Sequence, residues 1–341
     1  MNSPAAYSTI VATGRAVPES VVTNEQVEKD CRLEPGWIRQ RTGILQRPVV
    51  EPHQAVSDLA ISAGQIAVGK FSHRVDLPAI SMLILATSTP DYLLPPTGPF
   101  VADQLGLGTI PAFDMAVACS GFLYALQMAD GFCRTQHGSV LIIAANVLSK
   151  RVTPEDPATA AIFADGAGAV VLSPSSEAGI RGFRLESDGS GFDCLKIPDG
   201  GSKTAFHAGS LAENNHKMKI NDGMAVFRYA VESMARLGQA VLHDCGVPVE
   251  DVDYWLPHQA NLRIIESARQ RLGIAKEKTG VTIDRFANSS AATIPIALDY
   301  FLDSQTISPG QQILMTTAAA GLTSGAALVR LPRDLNSPEN E

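Results

Sequence analysis

The sequence predicts an α/β fold built from two copies of one unit. Three observations point to it. Short apolar, β-branched runs without polar alternation recur along the chain, as strands buried on both faces do. Longer stretches with apolar residues near helical spacing separate them. The same order of elements then returns about 160–170 residues later, the mark of an internal repeat.

In the first half, strands are expected over Tyr7 to Ala12, Met82 to Ala86, Val140 to Ala145 and Ala167 to Leu172. Helices are expected over Ser57 to Val68 and over Cys119 to Phe132, the latter with Phe122, Leu123, Leu126 and Met128 on its apolar side. Thr23 and Gln26 have the spacing of a capping box that opens a further helix. In the second half, Asp253 to Leu256 is a strand. A helix starts near Ser289 and carries Ile294, Ile296, Ala297 and Leu298, and Gln312 to Thr316 is the next strand. The run GLTSGAALVRL from Gly321 echoes ADGAGAVVLS from Ala164. The seam falls near Pro174 to Gly182. It divides the chain into an N-terminal half, 1–174, and a C-terminal half, 175–341. Chance likeness among small-residue segments is the competing account.

With 341 residues, 45% hydrophobic and 18% charged, the chain has globular composition and room for about two domains. A net charge of −8 argues against a chain-wide basic surface for nucleic acid. An acidic protein partner would need a local basic patch. Cys31, Cys119, Cys133, Cys194 and Cys245 are odd in number, widely spaced and form no CxxC pair. That pattern fits neither a zinc cluster nor a disulfide framework, and suits reduced thiols in the cytoplasm. The opening MNSPAAYSTIVATGRAVPES has no basic segment followed by a long apolar one, so no signal peptide is expected. No apolar run approaches about 18 residues, so no membrane insertion is expected.

Three positions could carry chemistry. Cys119, in DMAVACSGFLYALQMA, lies at a strand-to-helix junction. The helix dipole and free N–H groups there favour a thiolate, the species that attacks acyl carbonyls. Its small neighbours Ala118, Ser120 and Gly121 allow close substrate approach. A buried, inert cysteine is the alternative. His258, in WLPHQANLRII, follows a strand and precedes an amphipathic helix, where ligand sites in α/β sheets gather. It is otherwise an isolated histidine with a structural role. Asn288, in DRFANSSAATIPIAL, holds in the second half the place that Cys119 holds in the first, or is simply a helix N-cap. If the halves pack about a pseudo-twofold axis, Cys119, His258 and Asn288 meet at one cavity. The small-residue stretch TTAAAGLTSGAAL could offer backbone N–H groups to an oxyanion, or be only a tight turn. Asp165 is read as a turn support, not a catalytic group.

The segments CSGFLYAL, PHQANLRII, NSSAATIP and FADGAGAVVL, in this order, resemble a β-ketoacyl-acyl-carrier-protein synthase III. WIRQRTGI near the N-terminus and GLTSGAALVRL near the C-terminus extend the resemblance over about 320 residues. It implies the thiolase fold, a duplicated five-layer αβαβα structure, as a homodimer. It implies a Cys119–His258–Asn288 triad: Cys119 takes an acyl group from a thioester, and His258 and Asn288 stabilise the enolate formed when a malonyl thioester loses carbon dioxide. The N–H groups of Cys119 and Ala320 would form the oxyanion hole. Trp37 and Arg41 would meet coenzyme A, Arg263 the acyl carrier protein, and Leu94 the partner subunit's acyl pocket. No metal or redox cofactor is implied. Two departures stand out. Ala319 and Ala320 precede Gly321 where the family has three glycines, and Pro157 replaces an arginine held to sandwich adenine. On the same fold, an acyltransferase using a non-malonyl nucleophile is the alternative. Retention of both His258 and Asn288 favours condensation. A degradative thiolase would carry a second cysteine in TTAAAGL, and a hydroxymethylglutaryl synthase a glutamate near Ser88; neither is present.

Overall fold

The computed structural model describes residues 7–333 and Leu335. The first residues of the stretch read for a signal peptide, and the extreme ends of the two expected halves, lie outside them.

Strands β1 (Tyr7–Ala16), β2 (Ile80–Ala86), β3 (Ala112–Met115), β4 (Ser139–Val147) and β5 (Asp165–Ser175) form one sheet in the order β1-β5-β4-β2-β3. Strands β6 (Ile180–Ser187), β7 (Tyr254–Pro257), β8 (Gln312–Ala319) and β9 (Thr323–Arg330) form a second in the order β6-β9-β8-β7. Directions match position by position. β1/β5 and β5/β4 are antiparallel, as are β6/β9 and β9/β8, whereas β4/β2 and β8/β7 are parallel. Even the fifth strand has a remnant: β3 runs parallel to β2, and Thr279 makes a single parallel bridge to Trp255 on β7. The turn between β5 and β6 spans residues 176–179.

Alternating residues of each strand face different layers, as the period of two dictates. Ile84, Ile142 and Val170 face inward, onto α4 (Gly121–Gln136) and α8 (Thr293–Asp303). Their neighbours Leu85, Ile143 and Val171 face outward, onto α3 (Val56–Ser72). Across the molecule, Ile313 and Met315 face the central helices. Leu314 and Leu328 meet α6 (Gly223–Asp244) and α7 (Leu262–Leu272). Helix, sheet, helix pair, sheet, helix pair: this is the five-layer thiolase arrangement.

The expected strands appear in place, most of them extended by a few residues, while the one expected over Asp253 to Leu256 is shifted by one, to Tyr254–Pro257. Thr23 and Gln26 form the expected capping box on α1 (Asn24–Asp30), each side chain bonding the other's backbone N–H. Both central helices start later than expected. Each is preceded by a 3₁₀ turn, Ala118–Ser120 before α4 and Ser290–Ala292 before α8. The first residue of each turn is left-handed, Ala118 at φ 43° and Ser290 at φ 58°, so an α-helix cannot run through it. Aligning the turns pairs Ala118 with Ser290 and Cys119 with Ala291. Asn288 is therefore not the positional counterpart of Cys119; it lies three residues upstream of that counterpart. The 22-residue α6 was not legible, because its stripe of buried residues begins only at Ala230, two turns in.

Candidate active site

Cys119 sits in the 3₁₀ turn between β3 and α4. Gly121, just after it, is tightly packed: a Cβ there would stand 3.1 Å from the Ala86 Cβ and 3.4 Å from that of Ala291. The turn is thereby wedged between the two halves. Strand β8 holds it from below, because the Thr317 hydroxyl donates to the Cys119 carbonyl at 3.1 Å. The Ser120 hydroxyl donates to the Thr323 carbonyl at 3.2 Å.

The same strand places His258. Its backbone N–H donates to the Thr316 carbonyl at 2.8 Å, one step beyond the β7/β8 ladder. Thr316 and Thr317 are adjacent and face opposite layers, so consecutive residues of β8 fix the histidine loop and the cysteine turn. Gln259 locks the loop with all four of its amide valences. Its Nε2 donates to the carbonyls of Pro257 and Gly280, and its Oε1 accepts from the N–H groups of Thr282 and Ile283. The imidazole is 1% exposed, and its Nδ1 lies 2.7 Å from the Thr293 hydroxyl.

Asn288 is clamped to the other half of the molecule. Its N–H donates to the Ile162 carbonyl, and its own carbonyl accepts from Ala164 N–H at 3.0 Å. Its Oδ1 accepts the Ser290 N–H at 2.8 Å, so it caps the 3₁₀ turn while its NH₂ remains the donor end. Next to this bridge, Asp165 accepts from Val50 N–H, Ser149 N–H and the Ser149 hydroxyl, the supporting role read from sequence.

Ser290 joins the three. Its hydroxyl reaches the Cys119 sulfur at 3.4 Å, its N–H meets Asn288, and its carbonyl accepts the Thr293 backbone N–H and lies 3.1 Å from the Thr293 hydroxyl oxygen. Thr293 in turn touches His258. A continuous chain of hydrogen bonds thus links Cys119, Asn288 and His258. Sequence reasoning gave Ser290, Thr293 and Gln259 no role; their signal is hydroxyl and amide side chains where a buried apolar helix and strand begin and end.

Charge at the site is the reverse of one sequence expectation. The helix N-terminus was expected to favour a Cys119 thiolate. Burial instead pushes the thiol up to about 11, with the Ser290 hydroxyl and the residue's own N–H pulling weakly the other way. Burial drives His258 down to about 3, so the imidazole is neutral. At neutral pH the resting pair is thiol and imidazole.

The remaining expected residues lie around this centre. On α2 (Trp37–Thr42), the Arg41 guanidinium stacks on the half-buried Trp37 ring, 4.7 Å from its centroid. Arg263, on the first turn of α7, donates to the Gln40 carbonyl at 3.2 Å and stays exposed. Leu94 is 83% exposed, beside exposed Tyr92 and Leu93. Ala320 is half-buried in the turn between β8 and β9. Neither Ala319 nor Ala320 has a positive φ, whereas Gly321 does, at 131°. Alanine therefore fits the first two positions, and glycine stands at the one that requires it.

The fold and this meeting point define a thiolase-fold condensing enzyme. Residues 113–189 match the family model for 3-oxoacyl-[acyl-carrier-protein] synthase III, and residues 242–331 match the model for its C-terminal part. A 3-oxopimeloyl-[acyl-carrier-protein] synthase from Rhodothermus marinus is 48% identical, over 96% of this chain and 95% of its own. A β-ketoacyl-[acyl-carrier-protein] synthase III from Natranaerobius thermophilus is 39% identical over 94% of this chain and 98% of its own. The crystal structure of the synthase III from Aquifex aeolicus has a TM-score of 0.85 at 37% identity, covering 95% of this chain and 99% of that one. The chain belongs to the β-ketoacyl-[acyl-carrier-protein] synthase III family. It condenses an acyl thioester with a malonyl thioester, with loss of carbon dioxide, to give a β-ketoacyl thioester.

Proposed function

We propose that Cys119 carries the acyl group and that His258 and Asn288 carry the decarboxylation. The observation behind this is the hydrogen-bonded chain through Ser290 and Thr293, which holds the three side chains at the junction of the two halves. In the first half-reaction the Cys119 sulfur forms a bond to the thioester carbonyl carbon, and the bond to the donor's sulfur breaks. The Cys119 proton ends on the departing thiol. The N–H groups of Cys119 and Ala320 face the oxyanion formed on the way. In the second, the His258 imidazole and the Asn288 amide donate to the carbonyl of the malonyl thioester. The bond to its carboxylate breaks, carbon dioxide leaves, and the electron pair passes into the enolate. The enolate carbon then attacks the acyl-Cys119 carbonyl and expels the thiolate, which regains a proton from water. A neutral imidazole suits this step, because a cation would stabilise the carboxylate that must be lost. The chemistry calls for no metal or redox cofactor.

The donor we infer is a five-carbon dicarboxylic monothioester. Adding two carbons to it gives a 3-oxopimeloyl thioester, the product in the name of the Rhodothermus marinus relative. The acceptor is malonyl-acyl carrier protein, and exposed Arg39, Arg41 and Arg263 give an acidic carrier a basic landing. A second copy of the chain covers exposed Tyr92, Leu93 and Leu94, making a homodimer. Five free thiols suit the cytoplasm.

The test separates the half-reactions. His258→Ala and Asn288→Ala should still acquire an acyl group, read by intact-protein mass. Each should release carbon dioxide from malonyl thioester roughly a hundredfold more slowly, the effect of losing one such donor. Release at the unmodified rate by both variants would overturn the assignment.

A further inference from the structure

The Thr293 hydroxyl stands among three polar groups, two of which compete for its one proton. Its Oγ1 lies 2.7 Å from His258 Nδ1, 3.3 Å from the Gln259 N–H nitrogen and 3.1 Å from the Ser290 carbonyl oxygen. A hydroxyl has one proton and two lone pairs. The Gln259 N–H can only donate, so it takes one lone pair. The Ser290 carbonyl can only accept, and the backbone N–H of Thr293 already serves it. The imidazole can do either. With a proton on Nδ1 it fills the second lone pair and leaves Nε2 bare. With Nδ1 bare it takes the hydroxyl proton, and Nε2 carries the N–H.

We propose that Thr293 is a positioning residue that donates its hydroxyl proton to His258 Nδ1 and so holds the imidazole in the Nε2–H tautomer. The proposal rests on the reading of His258 as a donor to the malonyl thioester carbonyl, which only that tautomer performs while neutral. Three observations carry it. The contact to Nδ1 is the shortest of the three. Among the described residues, Thr293 is the hydrogen-bond partner of Nδ1, whereas the Ser290 carbonyl has a backbone donor as well. Both side chains are buried, Thr293 at 3% and His258 at 1% exposure, so bulk water does not set the tautomer. The hydroxyl is itself fixed, on a β-branched residue at the first position of α8, with one rotational freedom left to its proton.

The experiment compares Thr293→Val, which keeps the shape and deletes the hydroxyl, with Thr293→Ser, which keeps the hydroxyl. Acylation is read by intact-protein mass and decarboxylation by carbon dioxide release. The tautomer is read from ¹⁵N shifts of histidine-labelled full-length enzyme, with His258 assigned from the signal missing in His258→Ala. Thr293→Val should acylate normally and lose about tenfold or more in decarboxylation kcat, with KM for the malonyl thioester little changed. Its His258 signals should shift away from the Nε2–H pattern of the parent, and Thr293→Ser should restore both rate and pattern. A parent spectrum with the proton on Nδ1, or decarboxylation by Thr293→Val at the parent rate, would overturn the proposal. Equal loss of both half-reactions in both variants would make Thr293 a packing residue. If His258→Ala itself decarboxylated at the parent rate, the reading of His258 would fall and the catalytic part of the proposal with it. The spectra would still show whether Thr293 sets the tautomer.

Discussion

Two cysteines show how little the residue type decides. Cys119 and Cys133 both lie on the segment that forms α4 and its preceding turn, and burial raises both thiols, to about 11 and about 12. Cys133 faces the central core and donates to the Leu172 carbonyl, with nowhere for a substrate to enter. Cys119 is partly accessible and touches a hydroxyl that favours its anion. Acyl transfer should therefore label Cys119 alone: Cys119→Ser abolishes a stable thioester adduct on intact-mass analysis, and Cys133→Ser leaves it. Persistent labelling of Cys119→Ser would point elsewhere. His258 makes a second expectation, about stability. Its value in the folded protein, about 3, lies below the ordinary 6.5. Between the two, the unfolded chain binds a proton that the folded chain refuses. Stability from this group is intact above pH 6.5 and falls as the pH drops toward 3, by up to about 1.4 kcal/mol per pH unit. His258→Asn should thus lose about 2 kcal/mol less than the parent between pH 7.5 and 5, measured by urea unfolding. Parallel losses would mean that burial does not keep the imidazole neutral.

Among the elements, α8 has the most to hold, since it starts at Thr293 and ends against the other half of the molecule. Its far end is pinned by Asp299, which is 2% exposed and takes three donors from the first half. These are the Thr13 hydroxyl on β1 at 2.6 Å, Arg15 at 2.5 Å and Lys70 of α3 at 3.1 Å. A buried carboxylate is costly to desolvate, and removing it from a satisfied network is costlier still, because its donors remain. In Asp299→Ala the Thr13 hydroxyl loses its acceptor, and Arg15 and Lys70 are left with Asp303. The expected destabilisation is about 3 kcal/mol, with Asp299→Asn intermediate because it keeps an acceptor for Thr13. Denaturant midpoints check this. A shift below about 0.5 kcal/mol would mean that the core, and not the pin, fixes the helix.

At the scale of the whole molecule, the strands and the recurrence of their order were legible because strands covered on both faces must be continuously apolar, whatever their direction. The segments around Cys119, His258 and Asn288 were legible because their residue types are unusual at the ends of such strands. What stayed hidden depends on contacts between segments distant in sequence. Ser290 becomes a hub only when α8 meets α4, and α6 shows its stripe only where a sheet covers it. The entrance illustrates the same limit. Pro157 was legible as a missing arginine, but not that Arg41, one turn along α2, already covers a face of Trp37. Pro157 is the first residue of the short helix α5 (Pro157–Ala160), capped by Asp156, with Glu155 before it. Where the resemblance implies a guanidinium for adenine, this loop offers a proline and two acids. A nucleotide donor loses a stacking and cation–π partner there, worth about 0.5–2 kcal/mol, or roughly two- to thirtyfold in affinity. A donor on a carrier protein brings no adenine and loses nothing. Acylation should therefore favour coenzyme A thioesters less than the family pattern implies, and Pro157→Arg should speed acylation from acyl-coenzyme A while leaving acyl-carrier protein unchanged. The first position of a helix accepts arginine without strain, so the variant tests recognition and not folding. Matched rates with both donors decide it: equal changes, or none, would mean that residue 157 does not face the adenine.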